Sequence, residues 1–373
     1  MTRLSTRPAF WLFLLLLAGS VLVVGAEQFS YLSTLPGAWF LSLALLALTA
    51  IPVAFVIYRF DTFEPEPASM IAVAVIWGGV IALTFAAIAN SYFLTFLQNV
   101  MSPDAFEAWG ASIVAPINEE IYKGAGLVLL FLLADEEFDG LMDGLVYGAM
   151  IGLGFQVVEN IQYFLSAAAG TAGSQLGAVV GTFFVRVGLA GAYSHMLFSG
   201  LMGFGFAYLV TQRQRSRRRR LGMAMLFAAL AWAAHFVWNS PWLENVMGRG
   251  TGSFALVLVI KGLPFLIFLL ILAMVARRRE RQAFDRLIAS EVGTDVLSQG
   301  EVEVLRSGRR RRRALRQTKK ARGPRARALL KRLQREQMNL ATYHNSARHV
   351  PAAQLELQRN KIRALRAQLA AVA

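Results

Sequence analysis

Eight apolar runs dominate this chain up to residue 275, and each is long enough to cross the roughly 30 Å hydrocarbon core of a bilayer as a helix. They fall at about 9–26, 38–57, 70–93, 111–134, 141–164, 181–210, 221–238 and 254–275. With 56% hydrophobic and only 16% charged residues, the composition excludes an ordinary soluble globular protein. The expectation is an all-α polytopic membrane protein, a bundle of about eight transmembrane helices. Cysteine is absent, which excludes a disulfide framework and Cys-ligated metal sites.

The net charge of +15 belongs to one end of the chain. Residues 277–373 hold 25 Lys/Arg against 8 Asp/Glu, so the first 276 residues are close to neutral. This divides the chain into a transmembrane domain, 1–276, and a basic, helical or disordered cytoplasmic tail, 277–373. The loops sort by Lys/Arg content, which sets orientation. One side carries Arg3, Arg7, Arg59, Arg213, Arg215, Arg217–Arg220 and the tail, whereas the other has only Arg249 among its loops. Both termini are therefore expected in the cytoplasm. The first run follows Arg3 and Arg7 and resembles a signal peptide, with Val24-Gly25-Ala26 as a passable cleavage site. Its length favours an uncleaved span.

The tail contains the run Arg309–Arg313 and two helix-like stretches near 325–337 and 352–370. A polybasic segment beside a bilayer is attracted to anionic lipid, at about 1 kcal/mol per Lys/Arg near the surface. Nucleic acid is the weaker partner, because no aromatic residues interleave the run to stack on bases.

Several polar residues lie inside the apolar runs. Glu119 and Glu120 sit in the fourth, where a central charge costs at least about 2.5–3.5 kcal/mol. Lys123 is placed to reach back to either on a helix, which explains how the segment tolerates them but not why they are there. The fifth run carries Glu159, Asn160 and Tyr163, the sixth Arg186, His195 and Ser199, and the seventh His235 and Asn239. The pairs Glu159/Tyr163, His195/Ser199 and His235/Asn239 are four apart and share a helical face. At 1.5 Å per residue, Glu119, Glu159, His235 and His195 lie about 12, 8, 5 and 21 Å from the outer surface. They can meet in one polar site in the outer half of the bilayer. The plainer readings are a helix–helix hydrogen bond for each His, a charge balance for Glu120 with Lys123, and an outward reach to the interface for Arg186. Convergence of four helices favours a site.

In this order, Glu119-Glu120-x-x-Lys123, Phe155-x-x-x-Glu159-Asn160, His195 before Gly200, and His235-x-x-x-Asn239 resemble the PrsW family of intramembrane proteases, and more distantly the CAAX-protease/Abi superfamily. The Phe63-Glu-Pro-Glu-Pro67 connector looks like that family's loop. The resemblance covers about 61–239 and leaves the tail outside. It implies a hydrolase, an endopeptidase of the bacterial cell membrane that cuts membrane-anchored proteins, with anti-sigma factors as typical targets. It also implies that Glu119 and Glu120 supply the general base, and that Glu159, His195, His235 and Asn239 complete the site.

Two chemistries fit these residue types. A carboxylate in the bilayer can take a proton from water and return it, while His235 and Asn239 donate to the oxyanion. Alternatively, His195, His235 and Glu159 bind one zinc ion and leave a position for water. No His-Glu-x-x-His spacing is present, and the balance leans to the metal-free form. Two other classes compete. A proton-coupled transporter would use the same groups as a relay, but the repeat symmetry and broken helices expected of one are not evident. A catalytically silent scaffold is the third.

Overall fold

The computed structural model describes residues 6–60, 66–138, 140–189, 193–213, 215–241, 251–345 and 352–372. Arg3, the connector at 61–65 and the loop bearing Arg249 lie outside the described residues. Twelve helices account for the described architecture. They are α1 (Pro8–Thr34), α2 (Pro36–Phe60), α3 (Ala68–Val100), α4 (Pro103–Leu133), α5 (Leu141–Gly170), α6 (Gln175–Phe183, continued by a π-helical turn Phe184–Leu189), α7 (Ser194–Thr211), α8 (Arg217–Asn239), α9 (Thr251–Glu291), α10 (Gln299–Leu305), α11 (Gly308–Asn345) and α12 (Ala352–Ala371). The absence of β-sheet among the described residues follows from the solvent. With no water to bond exposed backbone, an apolar run must satisfy its own amides.

Seven of these helices are long and apolar enough to cross a membrane, namely α1, α2, α3, α5, α7, α8 and the Val259–Arg279 part of α9. The protein is thus a multi-pass membrane protein. The sequence reading differs in two places. Its fourth span, 111–134, falls on the C-terminal three quarters of α4, a 31-residue helix that carries Glu119, Glu120 and Lys123 and so lacks an uninterrupted apolar window. Its sixth span, 181–210, is two elements. The π-helical turn ends at Leu189, and a new helix begins at Ser194.

Helix α5 is the hub. Within its apolar window 89% of residues are buried, against 11% in α1 and in α2. Lipid is as apolar as leucine, so helices in a bilayer associate through close packing of small residues. On one face of α5, Gly144, Gly148 and Gly152 meet the carbonyls of Gly203, Ser199 and His195 on α7. A Cβ on any of the three would fall within 2.2 Å of those oxygens. On another face, Gly154 meets the Val75 carbonyl of α3, and Gly78 and Gly79 pack back onto α5. A π-helical turn, Trp77–Ala82, marks this crossing in α3.

Helix α9 is 41 residues, about 60 Å at 1.5 Å per residue, and therefore runs well past the hydrocarbon. The tail folds on its far half. Phe284 joins Leu297, Val302, Leu305 and Met338 in one small core, and Val296, Leu333, Leu340, Ile362 and Leu365 form a second. The Arg309–Arg313 run lies inside α11, which breaks at Gly323 (φ 80°), a left-handed conformation that suits glycine, just before Pro324. The described tail is mostly helical, with α9 and α10 joined by a turn over 292–298 that an isolated bridge between Val292 and Leu297 closes.

Candidate active site

Helix α4 starts cleanly, with Ser102 accepting from the Ala105 amide, Pro103 in the first turn and Asp104 beside the positive end of the helix dipole. It stays helical through Pro116 and brings Glu119, Glu120 and Lys123 into the interior, all at most 4% exposed. Lys123 Nζ donates to Glu120 Oε1 at 2.7 Å and to His195 Nδ1 at 2.9 Å. It lies 3.4 Å from Glu119 Oε2 and 4.4 Å from the centre of the Phe155 ring.

These contacts define how the imidazoles are held. Lysine can only donate, so His195 Nδ1 is an acceptor, and its Nε2 donates to Glu159 Oε2 at 3.1 Å. His235 Nδ1 donates to Glu120 Oε1 at 2.9 Å, and its ring stacks on Phe198 with centroids 4.6 Å apart. Each histidine therefore has one nitrogen fixed by a carboxylate and the other turned towards Glu119. Glu119 Oε2 lies 3.8 Å from His195 Nδ1 and 3.9 Å from His235 Nε2.

Helices α4, α5, α7 and α8 thus place Glu119, Glu120, Glu159, His195 and His235 in one buried cluster. Of the expected zinc ligands, His195 and His235 converge with Glu119, and the three ligand atoms lie within 4.8 Å of one another. Glu159 stands behind His195, on the nitrogen that faces away from Glu119. Asn239 contributes through its main chain, whose carbonyl accepts from Ser112 Oγ at 2.8 Å.

Arg186 turns inward, contrary to the expected reach to the interface. It donates to Glu159 Oε2 at 2.7 Å and to Asn160 Oδ1 at 2.8 Å, and its guanidinium lies 3.6 Å over Tyr163. A half-buried carboxylate and a ring face hold a planar cation more firmly than a distant headgroup does. Two half-buried amides also reach the site without having been singled out in the sequence. Asn118 Nδ2 donates to Asn90 Oδ1 at 3.0 Å, and Asn90 Nδ2 points at Glu119 Oε1 from 3.5 Å. A lone amide in the apolar run of α3 was the available signal for Asn90.

Two buried oxygens, Glu119 Oε2 and Glu120 Oε2, have no hydrogen-bond partner among the described residues. A buried acceptor without a partner is costly, and such groups in native proteins usually await a water, an ion or a substrate. Glu119, His195 and His235 are a zinc-type donor set, with Glu159 and Glu120 as the carboxylates that orient the two imidazoles, and Lys123 now donates to the His195 Nδ1 lone pair that a metal would take.

Several helices of a membrane bundle thus converge on a cluster of carboxylates and imidazoles. A family model described as "PrsW family intramembrane metalloprotease" matches residues 66–275, more than half of the chain. The chain belongs to the PrsW family. A protein named Protease PrsW from Geobacillus kaustophilus is 34% identical over 149 residues, which cover 40% of this chain and 58% of that protein. One of the same name from Oceanobacillus iheyensis is 28% identical over 165 residues, 44% of this chain and 64% of its own length. The chain thus spans somewhat under two thirds of each of these curated relatives. No solved structure matches it.

Proposed function

We propose that this protein is an intramembrane endopeptidase that hydrolyses peptide bonds of membrane-anchored proteins in regulatory proteolysis, as of an anti-sigma factor. The observation that carries this reading is the pair of buried carboxylate oxygens on adjacent residues that accept no hydrogen bond, held beside two imidazoles and a lysine. One of these oxygens takes the proton from the attacking water and returns it to the leaving amine. Lys123, in contact with both carboxylates, offsets part of the cost of burying them. His235, one turn before Asn239, faces the same space with Nε2, which donates to the developing oxyanion when the ring carries both protons.

Glu119, His195 and His235 are the residues that would hold a zinc ion, which when bound supplies a Lewis acid for the water and the carbonyl. Glu120 then remains as the base through its open oxygen. Without metal, Glu119 Oε2 is the better placed of the two, because three nitrogens surround it. The tie to the CAAX-protease/Abi superfamily rests on the same short motifs.

The test is mass spectrometry of candidate single-span anti-sigma factors co-expressed with the protein or with a Glu119→Ala form. A cut present with the first and absent with the second is expected. Cleavage unaffected by Glu119→Ala would overturn the assignment. Inhibition by a strong chelator, reversed by zinc, would select the metal form.

In this reading both termini face the cytoplasm of a bacterial cell, and the tail lies against anionic lipid. The supporting feature is the exposed face of α11, where Arg312, Arg313, Arg316, Lys319 and Lys320 fall within about 120° of the helix circumference. Binding of the full protein's tail to anionic nanodiscs should weaken with salt. Indifference to salt, or tighter binding to DNA, would refute that part.

A further inference from the structure

A lysine remains that the proposed chemistry does not use. Lys261 lies in the apolar part of α9 yet is 2% exposed. Its ammonium donates to the carbonyls of Trp238, at 3.3 Å, and of Ser240. Those carbonyls close the end of α8, the helix that carries His235 and Asn239.

A helix leaves its last four carbonyls without intrahelical partners, and the residues of this end are half-buried. All four are nevertheless satisfied here. Phe236 O accepts from the Ser240 amide and Val237 O from Ser240 Oγ. Trp238 O accepts from Lys261, and Asn239 O from Ser112 Oγ on α4. Lys261 takes Ser240 O as well, so its charge also faces the negative end of the helix dipole. The neighbouring Gly262 allows this approach, since a Cβ there would lie 2.7 Å from both the Trp238 ring and the Tyr193 hydroxyl.

We infer that Lys261 is a positioning residue of the site. Through the last turn of α8 it sets where His235 meets Glu120, with Ser112 as its counterpart from α4. The inference rests on the proposed hydrolase for its kinetic consequence, but its geometric consequence stands apart from that activity. A cation in this place pins α8 along its axis as well as laterally, because it bonds two carbonyls of one turn. Misplacing a catalytic group by about 1 Å can cost on the order of 10²-fold in rate.

The absence of cysteine from the chain makes the test clean. Trp109 on α4 and Phe236 on α8 stack with centroids 6.0 Å apart, so a Trp109→Cys/Phe236→Cys pair reports the approach of these helices through a short bifunctional thiol cross-linker. Cross-linking is measured in nanodiscs for the full-length pair with Lys261, Lys261→Met or Lys261→Arg. Cleavage is measured, without the cysteines, on an anti-sigma factor that the wild type cuts. Lys261→Met is expected to slow cross-linking and to lower kcat by roughly 10²-fold with KM unchanged. Lys261→Arg, which keeps both donations, is expected to restore most of each. If Lys261→Met fails to accumulate, Lys261→Gln, which keeps a donor and sheds the charge, replaces it. Wild-type cross-linking and kcat in the folded Met or Gln variant would overturn the inference. If no anti-sigma factor is cut even by the wild type, the hydrolase reading fails, and the cross-linking rate still decides whether Lys261 holds α8 in place.

Discussion

In the membrane bundle, Lys123 lies buried among Glu119, Glu120 and His195. In the tail, Arg363 and Arg366 of α12 reach Asp295 and Glu301, whose side chains are open to solvent. Both are ionic networks with contacts of similar length, yet they rest on different physics. Burying charge costs more than a good pairing returns, so the inner cluster is weak evidence of stability and stronger evidence of function. The outer pairs are screened by water and salt and fasten a helix whose hold comes mainly from Ile362 and Leu365. In the proposed hydrolase the inner network holds the reacting groups, and the outer one fastens a docked helix.

The largest effect should come from the carboxylates. Gln in place of Glu119 or Glu120 keeps shape and hydrogen bonding but cannot take the proton, so cleavage should fall by about 10²–10⁴-fold at the position that acts as base. Adjacent helical residues point about 100° apart, so the two need separate immunoblot assays at matched expression. Wild-type turnover by both variants would make the inner network merely structural and erase the contrast.

Next in size is Lys123→Met, which leaves two buried carboxylates without their cation. Removing one partner of a buried pair costs about 3–5 kcal/mol, read as a drop in melting temperature in detergent and in membrane accumulation. If Lys123→Met and Glu120→Gln destabilise equally and Glu120→Gln still cleaves, Glu120 serves only as an ion-pair partner.

Gly152→Ala sharpens the comparison from another side. In a free helix alanine would be favoured by about 0.5–1 kcal/mol, but here its Cβ would sit 2.2 Å from the His195 carbonyl. Overpacking of about 1–3 kcal/mol should dominate, and the shift should reach His195. A stabilised, fully active Gly152→Ala protein would show that α5 and α7 have slack.

The smallest effects belong to the tail. Arg363→Ala should barely change overall stability while speeding amide exchange in 352–371. The hydrogen bond from Arg363 holds the Asp295 carboxyl below its usual range. A depressed folded value means that this contribution is complete at neutral pH and lost as pH falls through that value. Protection factors of the α12 amides, corrected for the intrinsic pH dependence of exchange, should therefore fall only in acid or high salt. A large loss of stability at neutral pH would put the tail network in the same class as the inner one.

Much of this was legible in the sequence, for reasons specific to the residues. A charged or imidazole group inside an apolar run stands out wherever the helix turns, so Glu119, Glu120, Glu159, His195 and His235 could be picked out before any fold was known. The class of fold followed from the runs themselves. Which faces meet could not be read in this way, because a lipid-exposed helix is apolar around most of its surface and its pattern does not encode its rotation. Close contact of the Gly144/Gly148/Gly152 row with the α7 backbone sets that rotation, and with it the choice of Glu119 over Glu159 beside the two imidazoles. The inward turn of Arg186, the reach of Asn90 and the hold of Lys261 on the end of α8 are products of the same packing. They depend on contacts between residues far apart in the chain, and composition and spacing carry no record of those.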